Sequence, residues 1–234
     1  MLLALFHAAV VGIDAFSLWY DQMYLDIPLP ANKYGEMPFK GRLMFLTIWG
    51  LIMQTVYFSI TLLNDLFGSN EKSPRKTPFI RRIKDIAFAM AFTIAVYVST
   101  SFWGIYYYDK ELIFPDRLEK VFPVWLNHTM HTFVAAFILI ELLVTKRSYP
   151  TRKVGLTCVT LVVIGYISWM HVLHARTGAW VYPIFEVLNL PMRVVFLSFS
   201  VVFTVTFYLL GEKLDKILSP APSKQSHEPK KKKR

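Results

Sequence analysis

Apolar residues gather into six runs near or above the roughly 20 residues that a helix needs to cross a bilayer, at about 2–20, 43–67, 86–108, 122–144, 154–174 and 192–211. Short charged stretches separate them, which predicts an all-α, polytopic membrane protein with six transmembrane helices. The first run lacks a basic leading segment and carries Asp14, so it reads as a span and not as a cleaved signal. Asp85 suits the first turn of the third helix, and Tyr106, Tyr107 and Tyr108 at its far end suit a lipid–water boundary. Pro123 suits the first turn of the fourth.

Composition sharpens this picture. The chain is 54% hydrophobic and only 18% charged, whereas soluble domains carry about 25% charged residues. A water-soluble globule is therefore disfavoured, and disorder of the body is excluded. The net charge of +10 is unevenly spread. The connection after the second run holds Lys72, Arg75, Lys76, Arg81, Arg82 and Lys84, and the connection after the fourth holds Lys146, Arg147, Arg152 and Lys153. Eight more basic residues follow between Lys213 and Arg234. The opposite side has Lys33, Lys40, Arg42, Lys110, Arg117, Lys120, Arg176 and Arg193. The positive-inside rule then predicts that both termini are cytoplasmic, and the basic balance reads as a topology signal with no nucleic-acid partner.

Residues 1–218 are expected to form the membrane domain, and 219–234, with Pro220, Pro222 and Pro229 among polar and basic residues, a disordered tail. The closing Lys231–Arg234 run fits an anionic lipid surface, a dilysine-type retrieval address or a plain topology anchor. Plasma membrane and endoplasmic reticulum are both compatible with it. Cys158, the single cysteine, permits no internal disulfide.

A polar side chain within a span needs a partner or a task, because burying a charge in lipid costs at least about 2.5–3.5 kcal/mol. At 1.5 Å per residue, Thr47 lies about 6 Å and His131 about 13 Å below the outer starts of their helices, so the two can be level. Asp14, Asn127 and His128, with His171 and His174, share this outer half. Glu141, Asp65 and Asn64 lie near the cytoplasmic ends and read as helix-end or snorkelling groups. Threonine in a membrane helix ordinarily bonds back to the carbonyl one turn earlier. A mid-span histidine is rarer and titrates near neutrality. Two chemistries stay open on these residues alone. The His128-x-x-His131 and His171-x-x-His174 pairs could contribute to a zinc site with Asp14, although neither has the His-Glu-x-x-His pattern. Alternatively, a hydroxyl nucleophile pairs with one histidine base.

The run Pro123-Val-Trp-Leu-Asn-His-Thr-Met-His131-Thr-Phe is one of several long, unusual motifs. Others are Thr177-Gly-Ala-Trp-Val-Tyr-Pro183, Tyr208-Leu-Leu-Gly-Glu-Lys213, and Gly41-Arg42 six residues ahead of Thr47. Over roughly residues 40–213 the chain thereby resembles the androgen-induced and androgen-dependent TFPI-regulating family of membrane proteins. That resemblance implies hydrolysis of fatty acid esters of hydroxy fatty acids by an intramembrane threonine hydrolase without a cofactor. The family's nucleophile corresponds to Thr47 and its histidine to His131.

On this basis Thr47 and His131 are the expected catalytic pair, and the partner is a lipid ester. Lys40, seven residues before Thr47 and so on the same face of a continuous helix, is the candidate for holding the substrate carboxylate. Asn127 and His128, one turn above His131, are candidate oxyanion donors. Asn127-His128-Thr129 also matches a glycosylation sequon, which a position within a span would leave unmodified. Competing readings are a zinc-dependent lipid hydrolase and a non-catalytic lipid sensor or scaffold.

Overall fold

A computed structural model describes residues 1–68 and 79–218. The tail expected to be disordered, and Lys72, Arg75 and Lys76 of the basic connection, lie outside the described residues. Six helices are long and apolar enough to cross a membrane. They are α1 (Leu2–Tyr24), α2 (Leu46–Phe67), α3 (Phe79–Asp109), α4 (Val124–Val144), α5 (Arg152–Thr177) and α6 (Leu190–Leu218). All six expected spans are present. The largest boundary differences are at α3, which starts seven residues earlier than expected, and at α6, which runs seven residues further.

The 31-residue α3 is the hub, packing against α2, α4, α5 and α6, whereas α1 packs mainly on α2. Half of the apolar window of α3 is buried, against 22% for α1, α5 and α6. Peripheral helices therefore turn apolar side chains outward, including Leu161, Ile164, Val195 and Val202. In lipid this is the favoured arrangement, because hydrocarbon solvates aliphatic groups while polar groups must find partners inside. Helix α1 follows the inverted pattern closely. Its buried residues are His7, Val10, Asp14, Ser17 and Asp21, three or four apart on one face, while Ile13, Phe16 and Trp19 are exposed.

Polar groups divide between the two ends of the bundle. One end gathers a basic network. His7 of α1 bonds Asp65 of α2 through Nδ1 at 2.6 Å and Glu141 of α4 through Nε2 at 2.9 Å. Tyr57 donates to Glu141 at 2.6 Å, and the Arg147 guanidinium donates to the Glu141 carbonyl and lies 3.6 Å over the Phe88 ring. Glu141 is fully buried and Asn64 is nearly so. The expectation that Glu141, Asp65 and Asn64 are snorkelling helix-end groups is thus corrected. Neighbouring helices enclose this end, and Glu141 ties three elements together.

At the opposite end, residues 25–45 form a strap that dips back into the bundle. Phe39, Lys40 and Gly41 follow one another in the left-handed region at φ 55°, 48° and 70°. A Cβ at Gly41 would run into the Tyr34 carbonyl, so the turn requires glycine there. Aromatic side chains hold the strap. The Trp49 and Trp169 indoles donate to the Leu43 carbonyl at 2.8 and 3.0 Å, and Tyr166 donates to the Met44 carbonyl at 3.0 Å.

Candidate active site

The strap ends where α2 begins, and that junction determines what Thr47 can do. Thr55, Ser59, Thr61 and Thr93 all donate to the carbonyl four residues earlier, as membrane hydroxyls ordinarily do. Thr47 is the second residue of α2, with extended backbone at Phe45 immediately ahead of the helix, so no helical carbonyl lies one turn behind it. Its Oγ instead lies 3.2 Å from His131 Nε2.

His131 comes from a distorted segment of α4. Residues Thr129–Phe133 form a π-helical turn, one residue wider than the α-helical turns around it. The Trp103 indole caps the opening, donating to the His131 carbonyl at 3.2 Å and to Thr132 Oγ at 3.1 Å. The imidazole is 6% exposed and stacks on Phe102 with ring centroids 3.5 Å apart and planes 9° from parallel. Nδ1 faces the Asn127 carbonyl at 3.0 Å and Asn127 Oδ1 at 2.7 Å. Two acceptors there keep the proton on Nδ1, which leaves Nε2 as a lone pair that accepts from the Thr47 hydroxyl. A hydroxyl, an imidazole lone pair and an acceptor behind the ring are thus aligned, an arrangement that can serve nucleophile–base chemistry.

The backbone at the start of α2 adds a further feature. The Leu46 amide donates to Tyr182 Oη at 3.1 Å and the Ile48 amide to the Phe45 carbonyl at 3.1 Å. Among the described residues this leaves the Thr47 amide as the unused donor of the first turn, at the positive end of the helix dipole. Burial pushes the Tyr182 hydroxyl up to about 12, so it stays protonated as part of this clamp.

Thr47 and His131 open onto one cavity of about 160 Å³. The walls are almost wholly aliphatic and aromatic, with contributions from α2 to α6, and reach from Phe114 and Phe122 beyond the ends of α3 and α4 to Thr204 in α6. Asp21 and Arg42 line it as well.

Several sequence-predicted residues take other positions. Lys40 lies in the left-handed turn, is exposed and does not line the cavity. The helical continuity that would have placed it above Thr47 is absent, because α2 starts only at Leu46. Asn127 faces His131 Nδ1 and does not line the cavity. His128 stacks on Trp103 and bonds Thr132 at 3.1 Å, also away from the cavity. Asp14 is buried outside the cavity on the face of α1 turned inward. His171 bonds the Ile167 carbonyl at 2.8 Å, and His174 stacks on Trp180. The proposed zinc ligands therefore do not converge: among the described residues no three His, Cys, Asp or Glu side chains form a metal-binding group.

A profile of the FAR-17a/AIG1-like protein family matches residues 3–216. The androgen-dependent TFPI-regulating protein of Homo sapiens is 39% identical over 176 residues, covering 75% of this chain and 76% of that one. The human androgen-induced gene 1 protein is 38% identical over 200 residues, 82% of each chain. The androgen-dependent TFPI-regulating protein of Mesocricetus auratus is 32% identical over 201 residues, 84% of this chain and 87% of its own. No solved structure matches. With six apolar helices and a family profile spanning nearly the whole described body, this chain is a multi-pass membrane protein that belongs to the FAR-17a/AIG1-like family.

Proposed function

We propose that this protein is a threonine hydrolase of fatty acid esters of hydroxy fatty acids. The observation that carries the reading is the 3.2 Å approach of Thr47 Oγ to a His131 Nε2 whose ring is held from behind by Asn127. The almost wholly apolar walls around the pair suit an aliphatic substrate.

Thr47 Oγ attacks the ester carbonyl carbon as its proton passes to His131 Nε2. The oxyanion develops beside the Thr47 amide and the N-terminus of α2. Collapse breaks the bond to the alkoxy oxygen, which takes the proton from His131 and leaves as the hydroxy fatty acid. The acyl-threonine is then attacked by a water that His131 deprotonates, and fatty acid is released. Asp14, His128, His171 and His174 have no part in these steps. The basic end faces the cytoplasm in this reading, in keeping with the positive-inside rule.

Purified protein in liposomes, given a panel of lipid esters, tests the proposal. Thr47→Ala and His131→Ala should each abolish acid release, and hydroxylamine should trap the acyl group from Thr47 in the wild type. Chelators should leave turnover intact. Hydrolysis that survives Thr47→Ala, or that stops on chelation, would reject this mechanism. Ester binding without hydrolysis by the wild type would favour a sensor.

A further inference from the structure

Arg42 lines the same cavity as Thr47 and His131, and its side chain is buried, the residue being 2% exposed. It is delivered there by the left-handed turn at Phe39–Gly41, two of whose residues are not glycine. Backbone of that kind costs on the order of 1–3 kcal/mol per residue and persists where surrounding structure enforces it. Nε of Arg42 donates to both oxygens of Asp21 at 3.2 and 3.0 Å, and Nη2 donates to the Leu25 carbonyl at 3.0 Å. A guanidinium carries five N–H donors. Among the described residues no acceptor meets Nη1, and Nη2 keeps a second hydrogen. One edge of the fork is thus unsatisfied beside an otherwise aliphatic and aromatic cavity.

We propose that this edge of Arg42 binds the carboxylate of an anionic, long-chain ligand. Two parallel N–H groups match the two oxygens of a planar carboxylate. Asp21 neutralises the guanidinium when the site is empty, so the unliganded protein carries no uncompensated charge there. Arg42 lies five residues before Thr47, so their backbones are at most about 17 Å apart. A ligand fixed by its carboxylate at Arg42 therefore presents an ester further along its chain to Thr47. This specificity role rests on the hydrolase reading above, whereas carboxylate binding itself does not.

Two measurements separate those layers. In the first, hydrolysis of a fatty acid ester of a hydroxy fatty acid is compared with that of the same compound capped as a methyl ester at its free acid. Arg42→Gln should raise KM for the free acid about 10- to 100-fold, the range set by a lost charge-assisted bond, while leaving KM for the capped compound nearly unchanged. Equal loss on both compounds, or loss on neither, would overturn the proposal. In the second, binding of oleate and of methyl oleate is measured on the Thr47→Ala protein. Oleate should bind more tightly, and Arg42→Gln should erase that preference. Absence of any preference would overturn carboxylate binding. Stronger competition by lysophosphatidic acid than by oleate would do so as well, by assigning the edge to phosphate. If oleate binds through Arg42 and no ester is hydrolysed by the wild type, the hydrolase reading fails and the anion site stands. Should Arg42→Gln misfold because Asp21 is left unpaired, the double variant Asp21→Asn/Arg42→Gln removes both charges together and keeps both measurements decisive.

Discussion

His7 and Glu141, 134 residues apart in sequence, meet at 2.9 Å inside the basic end of the bundle and join the first transmembrane helix to the fourth. Glu141 also accepts from Tyr57 of α2, and its carbonyl accepts from Arg147. Truncating Glu141 leaves the Tyr57 hydroxyl and His7 Nε2 without their buried acceptor, although His7 keeps Asp65 and Arg147 keeps the backbone carbonyl. Removing one partner of a buried charged pair costs about 3–5 kcal/mol. Glu141→Ala should therefore lower the thermal unfolding midpoint in detergent markedly. Turnover per folded molecule should persist, because Thr47 and His131 occupy the other end. A wild-type midpoint would show that the network contributes little stability.

Asn127 should act on rate more than on binding. Its side-chain oxygen approaches His131 Nδ1 at 2.7 Å, but its own backbone carbonyl is there too at 3.0 Å. Asn127→Ala removes one acceptor of two, so kcat should fall roughly tenfold with KM unchanged. Loss of the base in His131→Ala should cost about 10²–10⁴-fold. A raised KM with normal kcat would instead place Asn127 in substrate binding.

Close helix packing yields a paired test. A Cβ at Gly211 of α6 would lie 2.6 Å from Tyr149 Oη and 2.7 Å from the buried Phe92 ring, whereas one at Gly165 of α5 would meet nothing within 4 Å. Overpacking costs about 1–3 kcal/mol, and replacing an unencumbered helical glycine gains up to about 1 kcal/mol. Gly211→Ala should lower the unfolding midpoint and Gly165→Ala should hold or raise it. Equal midpoints would contradict the packing at Gly211.

Orientation is open to direct labelling. In a Cys158→Ala background, Arg117→Cys in the connection between α3 and α4 should react with an impermeant maleimide on intact cells. Lys153→Cys at the start of α5 should react only after permeabilisation. The reverse pattern would invert the bundle and place the cavity end in the cytoplasm.

The spans were legible in the sequence because lipid demands long apolar runs. His131 stood out among the polar groups within them, whereas Thr47, one of many intramembrane hydroxyls, was singled out by the family resemblance. Depth counting from residue 43 succeeded for an incomplete reason. Thr47 is not a full turn inside its helix but at its very start, and the opposing stagger of α2 and α4 brings it level with the imidazole. Arg42 was hidden because a basic residue near a span end counts as a topology signal, and nothing in residue types announces three successive left-handed residues, two of them not glycine. Glu141 was misread because distance to a helix end does not reveal which neighbours cover it. A lipid-inverted stripe of His7, Asp14, Ser17 and Asp21 on α1 was the signal that could have located the buried partners.

The π-helical turn at Thr129–Phe133 was also invisible to residue periodicity, and it offers the most direct geometric test. Each α-helical residue adds about 100° of rotation. Deleting Thr132 should restore a regular α-helix and, with Val134–Val144 held by its packing on α3, swing His131 by about that angle away from Thr47. Thr132→Ala keeps the wide turn and loses only the hydroxyl shared with Trp103 and His128. The deletion should abolish turnover as fully as His131→Ala while helical content by circular dichroism is retained, and the point substitution should stay within about tenfold of wild type. Wild-type turnover by the deletion variant would mean that the extra residue does not set the position of the base.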